Sequence, residues 1–185
     1  MALDYNQILP GLFVGSHPGS CDDIDRLKEE SEITAVLNLQ ADEDMQHWGV
    51  QWSVLATHYQ RQGIKFHRVS IKDFDPVDLG RNLPDAVGAL NDLLSDHHVV
   101  YVHCTAGAWR SPTVVIAYLY WCSDWDLERA IAHVKQCRAC SPSLDAIRAA
   151  TRDLLGDEAI RHRVKCRATD LIAQTPLLTE DHAQD

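Results

Sequence analysis

The segment Val102-His103-Cys104-Thr105-Ala106-Gly107-Ala108-Trp109-Arg110-Ser111 sets a thiol, a glycine and a guanidinium at the spacing H-C-x-x-G-x-x-R-S. An apolar run, Val99 to Val102, leads into it, and an apolar stretch from Pro112 to Trp121 leads out. In a strand–loop–helix context, successive backbone N–H groups can converge on one point and hold an anion. Gly107 allows the backbone angles that such a curl requires. Arg110 can offer two parallel N–H donors to phosphate oxygens, which a lysine could not. The same donors should hold Cys104 as a thiolate, in line with a phosphorus atom seated in the nest. Thr105, Ala106, Gly107, Ala108, Trp109 and Arg110 are therefore the expected phosphate-binding residues, with Cys104 as nucleophile. His103 is expected to hydrogen-bond within the loop and keep its shape. Ser111 is placed to donate to the departing sulfur when water breaks a phosphoenzyme.

The elements that must position this loop follow from periodicity and punctuation. Leu12-Phe13-Val14, followed by Gly15, reads as a short strand, and Ser20 with Asp23 as a capping box opening a helix through Ile24, Leu27 and Glu30. Ile33 to Leu39 is a buried strand by composition, a helical pattern runs from Trp48 to Gln62, and Ile64 to Val69 alternates as a strand. Asp73-Phe74-Asp75-Pro76 reads as a loop. Leu83 to Leu94, with Pro84 near its first turn and Val87, Leu90 and Leu94 on one face, predicts a helix. Helices are also predicted over Pro112 to Trp121, Leu127 to Gln136 and Leu144 to Leu155, the last stopped by Gly156. Strands alternating with helices predict an α/β domain, a central, mostly parallel sheet flanked by helices. Residues 1–156 are expected to form the catalytic domain. Residues 157–185 form a C-terminal extension, with an amphipathic helix over Asp157 to Gln174 and a frayed polar tail over Thr175 to Asp185.

Composition narrows the partners. The chain has 185 residues, 45% apolar and 24% charged, enough to bury one full core. With 17 Lys plus Arg against 27 Asp plus Glu, the formal charge of -10 argues against nucleic acid and anionic lipid as partners. No run approaches the roughly 18 apolar residues of a membrane span. Six cysteines without disulfide-scaffold density fit a reducing compartment. Met1 to Gln7 carries no targeting pattern, so the cytoplasm is expected, or a plastid if a leader has been removed. A monomer is expected. Cys137-x-x-Cys140 lacks a second ligand pair and reads as two unrelated thiols, and His97-His98 as a solvated turn.

The chain also resembles the dual-specificity phosphatases, and within them the plant glucan phosphatases of the Starch Excess and Like Starch Excess group, with laforin more distant. Beside the loop, the resemblance rests on Val14-Gly15-Ser16, Leu37-Asn38-Leu39-Gln40 with Asp42 and Asp44, Trp48-Gly49-Val50, Asp73-Phe74-Asp75-Pro76, Leu83-Pro84-Ala86-Val87 and Asp145-Ala146-Ile147-Arg148-Ala150-Thr151. It covers Leu9 to Leu155. It implies the cysteine-phosphatase fold and makes Asp73 the general acid that protonates the leaving oxygen, with Asp75 as the alternative. Trp48 and Phe74 would line an aromatic channel for a glucan chain. The chain departs from the plant pattern Cys-x-Ala-Gly-x-Gly-Arg-Ala at two positions: Trp109 stands for the second Gly and Ser111 for the Ala. Asn38 stands where some relatives have a cysteine.

Together these residues predict a two-step hydrolysis without metal or cofactor. Phosphorylated α-glucan is the expected substrate and a phosphotyrosine or phosphoserine/threonine protein the alternative. Two competitors of another kind stay open: a rhodanese-like sulfur carrier, which also uses a cysteine in an anion-binding loop, and a non-catalytic glucan-binding scaffold, which has no physical need of Asp73, Cys104 and Arg110 together.

Overall fold

The computed structural model describes residues 2–164. Its elements run β1 (Tyr5–Leu9), β2 (Leu12–Gly15), α1 (Cys21–Ser31), β3 (Ala35–Gln40), α2 (Asp42–His47), α3 (Trp52–Arg61), β4 (Lys65–Ile71), α4 (Pro76–Ser95), β5 (Val100–His103), α5 (Arg110–Cys122), α6 (Leu127–Cys137), α7 (Leu144–Gly156) and α8 (Glu158–Val164). The strands form one sheet in the order β1-β2-β5-β3-β4, parallel throughout except for β1, which runs antiparallel to β2 at the edge.

The middle of the sheet is buried on both faces, as its near-continuous apolar sequence requires. From β5, Val100 and Val102 point into the larger core beneath α4, α5, α6 and α7, while Tyr101 joins a second core with Ile24 and Leu27 of α1 and Leu55 and Tyr59 of α3. Strand β3 alternates likewise, with Ala35, Leu37 and Leu39 on the larger side and Val36 on the other. Register then fixes the site: Gly15 pairs with His103, and His103 with Asn38. The carboxyl ends of β2, β5 and β3 therefore finish level, and the loops after them meet at one edge of the sheet, where open α/β sheets bind ligands.

Three expectations need correction. The helix expected from Leu83 begins at Pro76, because Asp75 accepts hydrogen bonds from the N–H groups of Val77 (3.0 Å) and Asp78 (2.9 Å), and Pro76 suits the first turn. Pro84 therefore lies inside α4, where Leu79, Leu83, Ala86, Val87 and Leu90 bury a stripe long enough to offset its missing hydrogen bond. The helical stretch expected from Trp48 to Gln62 is interrupted at Gly49, whose φ of 65° is left-handed, and Trp48 caps α2 instead of starting a helix. His98 is half-buried, with Nδ1 3.0 Å from Thr34 Oγ1, not simply solvated.

Strand β1 carries little sequence signal, since Ile8 alone is buried in it. Of the helix expected over Asp157 to Gln174, α8 accounts for Glu158–Val164. Residues 165–174 and the tail from Thr175 lie outside the described residues.

Candidate active site

The loop after β5 is shaped by what its carbonyls touch. Thr105 O accepts from His17 N at 3.0 Å and Ala108 O from Ser141 N at 2.8 Å. Arg138 spans the two between, donating from Nε to Gly107 O at 2.6 Å and from Nη2 to Ala106 O at 3.1 Å. Its own guanidinium is held by Asn6 Oδ1 at 2.8 Å and Asp4 Oδ2 at 2.9 Å. In a trans peptide the N–H points away from the carbonyl, so four outward carbonyls turn the N–H groups of Ala106, Gly107, Ala108 and Trp109 inward. Gly107 is required twice over: its φ is 69°, and a Cβ there would strike the backbone of Gly15.

Cys104 lies on the floor of this nest, 2% exposed, with its Sγ 3.4 Å from Ser111 Oγ on the first turn of α5. Arg110 is fully buried. Its Nη1 is anchored on Ile71 O (2.8 Å), Leu39 O (3.5 Å) and the carboxylate of Asp44. Its Nη2 reaches Thr105 Oγ1 at 3.0 Å and Asp73 Oδ2 at 3.0 Å. Nε has no protein partner. With Nη1 pinned and Nε–H unmatched, the Nε–Nη2 edge can serve two oxygens of a tetrahedral anion once an oxygen takes the place of Asp73 at Nη2. Thr105 is further held by Gln40, which donates from Nε2 to Thr105 Oγ1 at 3.2 Å.

The two candidate acids separate. Asp75 is committed to capping α4, whereas Asp73 leans over the nest onto Arg110. Burial raises the pKa of Asp73 above the ordinary carboxylate value. Arg110 and the N–H of Phe74 oppose that rise, and the nearby charge of Asp44 adds to it. His103 is pushed the other way, down to about 3, chiefly by burial. Its Nδ1 sits 3.2 Å from Cys104 O while Nε2 has no partner, so it is a neutral prop of the loop backbone.

Aromatic side chains stand at both ends of the loop. Phe74, 81% exposed, stacks on Trp109 with ring centroids 5.8 Å apart and planes inclined at 22°. Trp48, 47% exposed, lies 6.2 Å from the ring of His17, whose Nδ1 is 3.1 Å from Thr105 O. The other tryptophans pack elsewhere: Trp52 against Tyr59 and Phe66, Trp121 buried and donating to Thr151, Trp125 under the guanidinium of Arg129. Cys137 and Cys140 are free thiols. Among the described residues no cluster of three or more His, Cys, Asp or Glu could hold a metal, and no helix is long and apolar enough to cross a membrane.

The structure thus brings Cys104, Thr105, Arg110, Ser111 and Asp73 to one point and sets Trp109, Phe74 and Trp48 around it. The spacing alone assigned no role to Asp44, Gln40, His17 or Arg138. Asp44 and Gln40 stood in a matching stretch of sequence, but nothing in it tied them to the loop.

The profile of the family described as dual specificity phosphatase, catalytic domain, matches residues 12–148. The chloroplastic phosphoglucan phosphatase LSF1 of Arabidopsis thaliana is 37% identical over 155 residues, covering 84% of this chain and 26% of its own length. The amyloplastic phosphoglucan phosphatase DSP4 of Castanea sativa is 34% identical over 157 residues, covering 84% of this chain and 42% of its own. The chain therefore spans less than half the length of these curated relatives. Among solved structures, PTPMT1 superimposes with a TM-score of 0.67 at 22% identity, over 89% of this chain and 98% of that one, a likeness of fold.

Proposed function

The chain belongs to the dual-specificity phosphatase family and is a cysteine phosphatase, and from that premise we propose that it removes phosphate from phosphorylated α-glucan, with Cys104, Arg110, Asp73 and Ser111 as its working groups. Cys104 Sγ attacks phosphorus as the ester P–O bond breaks, and Asp73 gives its proton to the leaving sugar oxygen. The inward N–H groups of the loop and the Nε and Nη2 donors of Arg110 take up the charge on the equatorial oxygens. Water then attacks the cysteinyl-phosphate, handing a proton back to Asp73, and the sulfur departs toward the hydroxyl of Ser111. The observation that supports this reading is the double engagement of Arg110 Nη2, by Thr105 of the loop that follows Cys104 and by Asp73, so that the proposed acid and the proposed phosphate loop share one guanidinium.

The glucan half of the reading is supported by the two plant relatives and by the exposure of Trp48 and of the Phe74 ring stacked on Trp109, since exposed aromatic surface suits sugar rings. Ser111 and the ordinary dual-specificity loop around it favour a phosphoprotein as the second reading. The names of the relatives favour a plastid over the cytoplasm as the compartment. A monomer is the assembly proposed. Phosphate release from solubilised phosphorylated amylopectin, beside a phosphotyrosine and phosphoserine/threonine peptide panel, tests the ranking. A clear preference for amylopectin supports it, and equal or better turnover of the peptides moves the assignment to phosphoproteins.

A further inference from the structure

We propose that Trp109 is a positioning residue for the general acid: by stacking on Phe74 it fixes the short loop that holds Asp73 over the phosphate nest. The inference rests on the reading of Asp73 as the acid.

The Asp73 loop is tied down at both ends and strained in the middle. At its entrance, Lys72 N–H donates to Asp78 Oδ2 at 2.8 Å, and at its exit Asp75 Oδ1 accepts from Val77 and Asp78. Between these ties Phe74 adopts a φ of 54°, a left-handed conformation that a bulky L-residue does not hold unaided. In this conformation Phe74 N–H lies close enough to the Asp73 carboxyl to oppose the rise in its pKa. Burial does not hold Phe74 there, because its side chain is 81% exposed. Its ring contact is with Trp109, nearly parallel at 5.8 Å.

Trp109, by contrast, is anchored. It immediately precedes α5, its carbonyl accepts from Thr113 N (3.2 Å) and Thr113 Oγ1 (2.6 Å), and its side chain packs on the main core. A fixed ring on the phosphate loop thus meets a strained residue on the acid loop. The contact joins the residue before Arg110 to the residue after Asp73. Rings in this offset, near-parallel arrangement attract beyond the area they bury.

Acid assistance matters most when the leaving oxygen departs as a poorly stabilised alkoxide, as from a sugar or a serine, and least for an acidic phenol. A residue that aims the acid must show the same dependence, whereas one that only shapes the nest would affect all leaving groups alike. The test is kcat/KM over a series of phosphate monoesters, from nitrophenyl and fluorinated aryl esters to alkyl esters. The proteins are wild type, Trp109→Ala, Trp109→Phe, Phe74→Ala, the double alanine variant and Asp73→Asn.

Asp73→Asn should steepen the dependence on leaving-group acidity. Trp109→Ala and Phe74→Ala should each steepen it in the same sense, losing about fivefold to tenfold more on alkyl than on acidic aryl esters, the factor one ring contact is worth. The double variant should lose no more than either single one, and Trp109→Phe should restore most of the loss. A uniform loss across the series for Trp109→Ala and Phe74→Ala, beside a steepened slope for Asp73→Asn, overturns the inference and leaves Asp73 as the acid. An unchanged slope for Asp73→Asn overturns the reading beneath it. Phe74→Ala removes an exposed ring, so its result stands even if Trp109→Ala fails to fold.

Discussion

The floor and the rim of the site are built in opposite ways. On the floor, the carbonyls from Thr105 to Ala108 each meet a donor from elsewhere in the chain, and Arg110 is completely enclosed. On the rim, Trp48 and Phe74 stand largely in solvent, and the ring contact that steadies Phe74 is Trp109. Redundant bonding makes the floor rigid, which is what preorganised stabilisation of a phosphoryl group demands. The ring of Trp109 is where rim and floor meet, since it belongs to the phosphate loop and stacks on Phe74. On the proposed reading, the floor would carry the phosphoryl chemistry, while the rim would meet the rest of the substrate and, through Phe74 and Trp109, steady the acid.

Breaking the floor should produce the largest effects. Cys104→Ser should abolish release of phosphate from every substrate, because no other group on the floor can form the covalent intermediate; steady-state assay against para-nitrophenyl phosphate checks this. Arg110→Lys should cost about a hundredfold to a thousandfold in kcat, the scale of losing preorganised donors to transition-state charge. Substitution by lysine also leaves Asp44 and Asp73 facing a point charge instead of a fork. Measuring kcat and KM separately would locate the loss.

Between floor and rim lies Asp73. Asp73→Asn should lower kcat on sugar phosphates by about a hundredfold or more. The pH profile supplies the sign. An acid must be protonated to act, so wild-type activity on these esters should fall as pH rises through the raised pKa of Asp73, and the asparagine variant should lack that basic limb. At the rim, Trp48→Ala should weaken KM for phosphorylated amylopectin by about threefold to tenfold, the worth of one aromatic contact, with a smaller change on a small aryl ester. The smallest effect sharpens the contrast between the two aspartates. Asp75→Ala should lower unfolding stability by about 1 kcal/mol in urea through loss of the α4 cap, with a smaller effect on turnover than Asp73→Asn.

The same division explains what could be read from the sequence. Cys104, Gly107 and Arg110 were legible because the curl of a short loop dictates both residue type and spacing, and the central strands because both their faces are apolar. The start of α4 was misplaced because Pro84 looked like a first-turn proline, while the true signal was the cap and proline at Asp75-Pro76. Strand β1 was invisible because an edge strand with one buried residue has no pattern. Arg138 and Asp44 could not be found by spacing, since their work is done across the fold. Arg138 ties Asp4 and Asn6 to Ala106 and Gly107, and Asp44 meets Arg110 from the first turn of α2. The aromatic rim was suggested by resemblance, but the pairing of Phe74 with Trp109 needed coordinates, because Trp109 stands where the plant pattern has glycine.

The central claim is that phosphate passes through Cys104, and the most direct measurement is a trap of that intermediate. Ser111→Ala removes the hydroxyl 3.4 Å from Cys104 Sγ and should slow the second step more than the first. Rapid acid quench of this variant with phosphorylated amylopectin, followed by peptide mass spectrometry, should find a phosphate adduct on the Cys104 peptide and none in the Cys104→Ser, Ser111→Ala double variant. Phosphate release by Ser111→Ala with no adduct on Cys104, or release that persists in the double variant, would contradict the account.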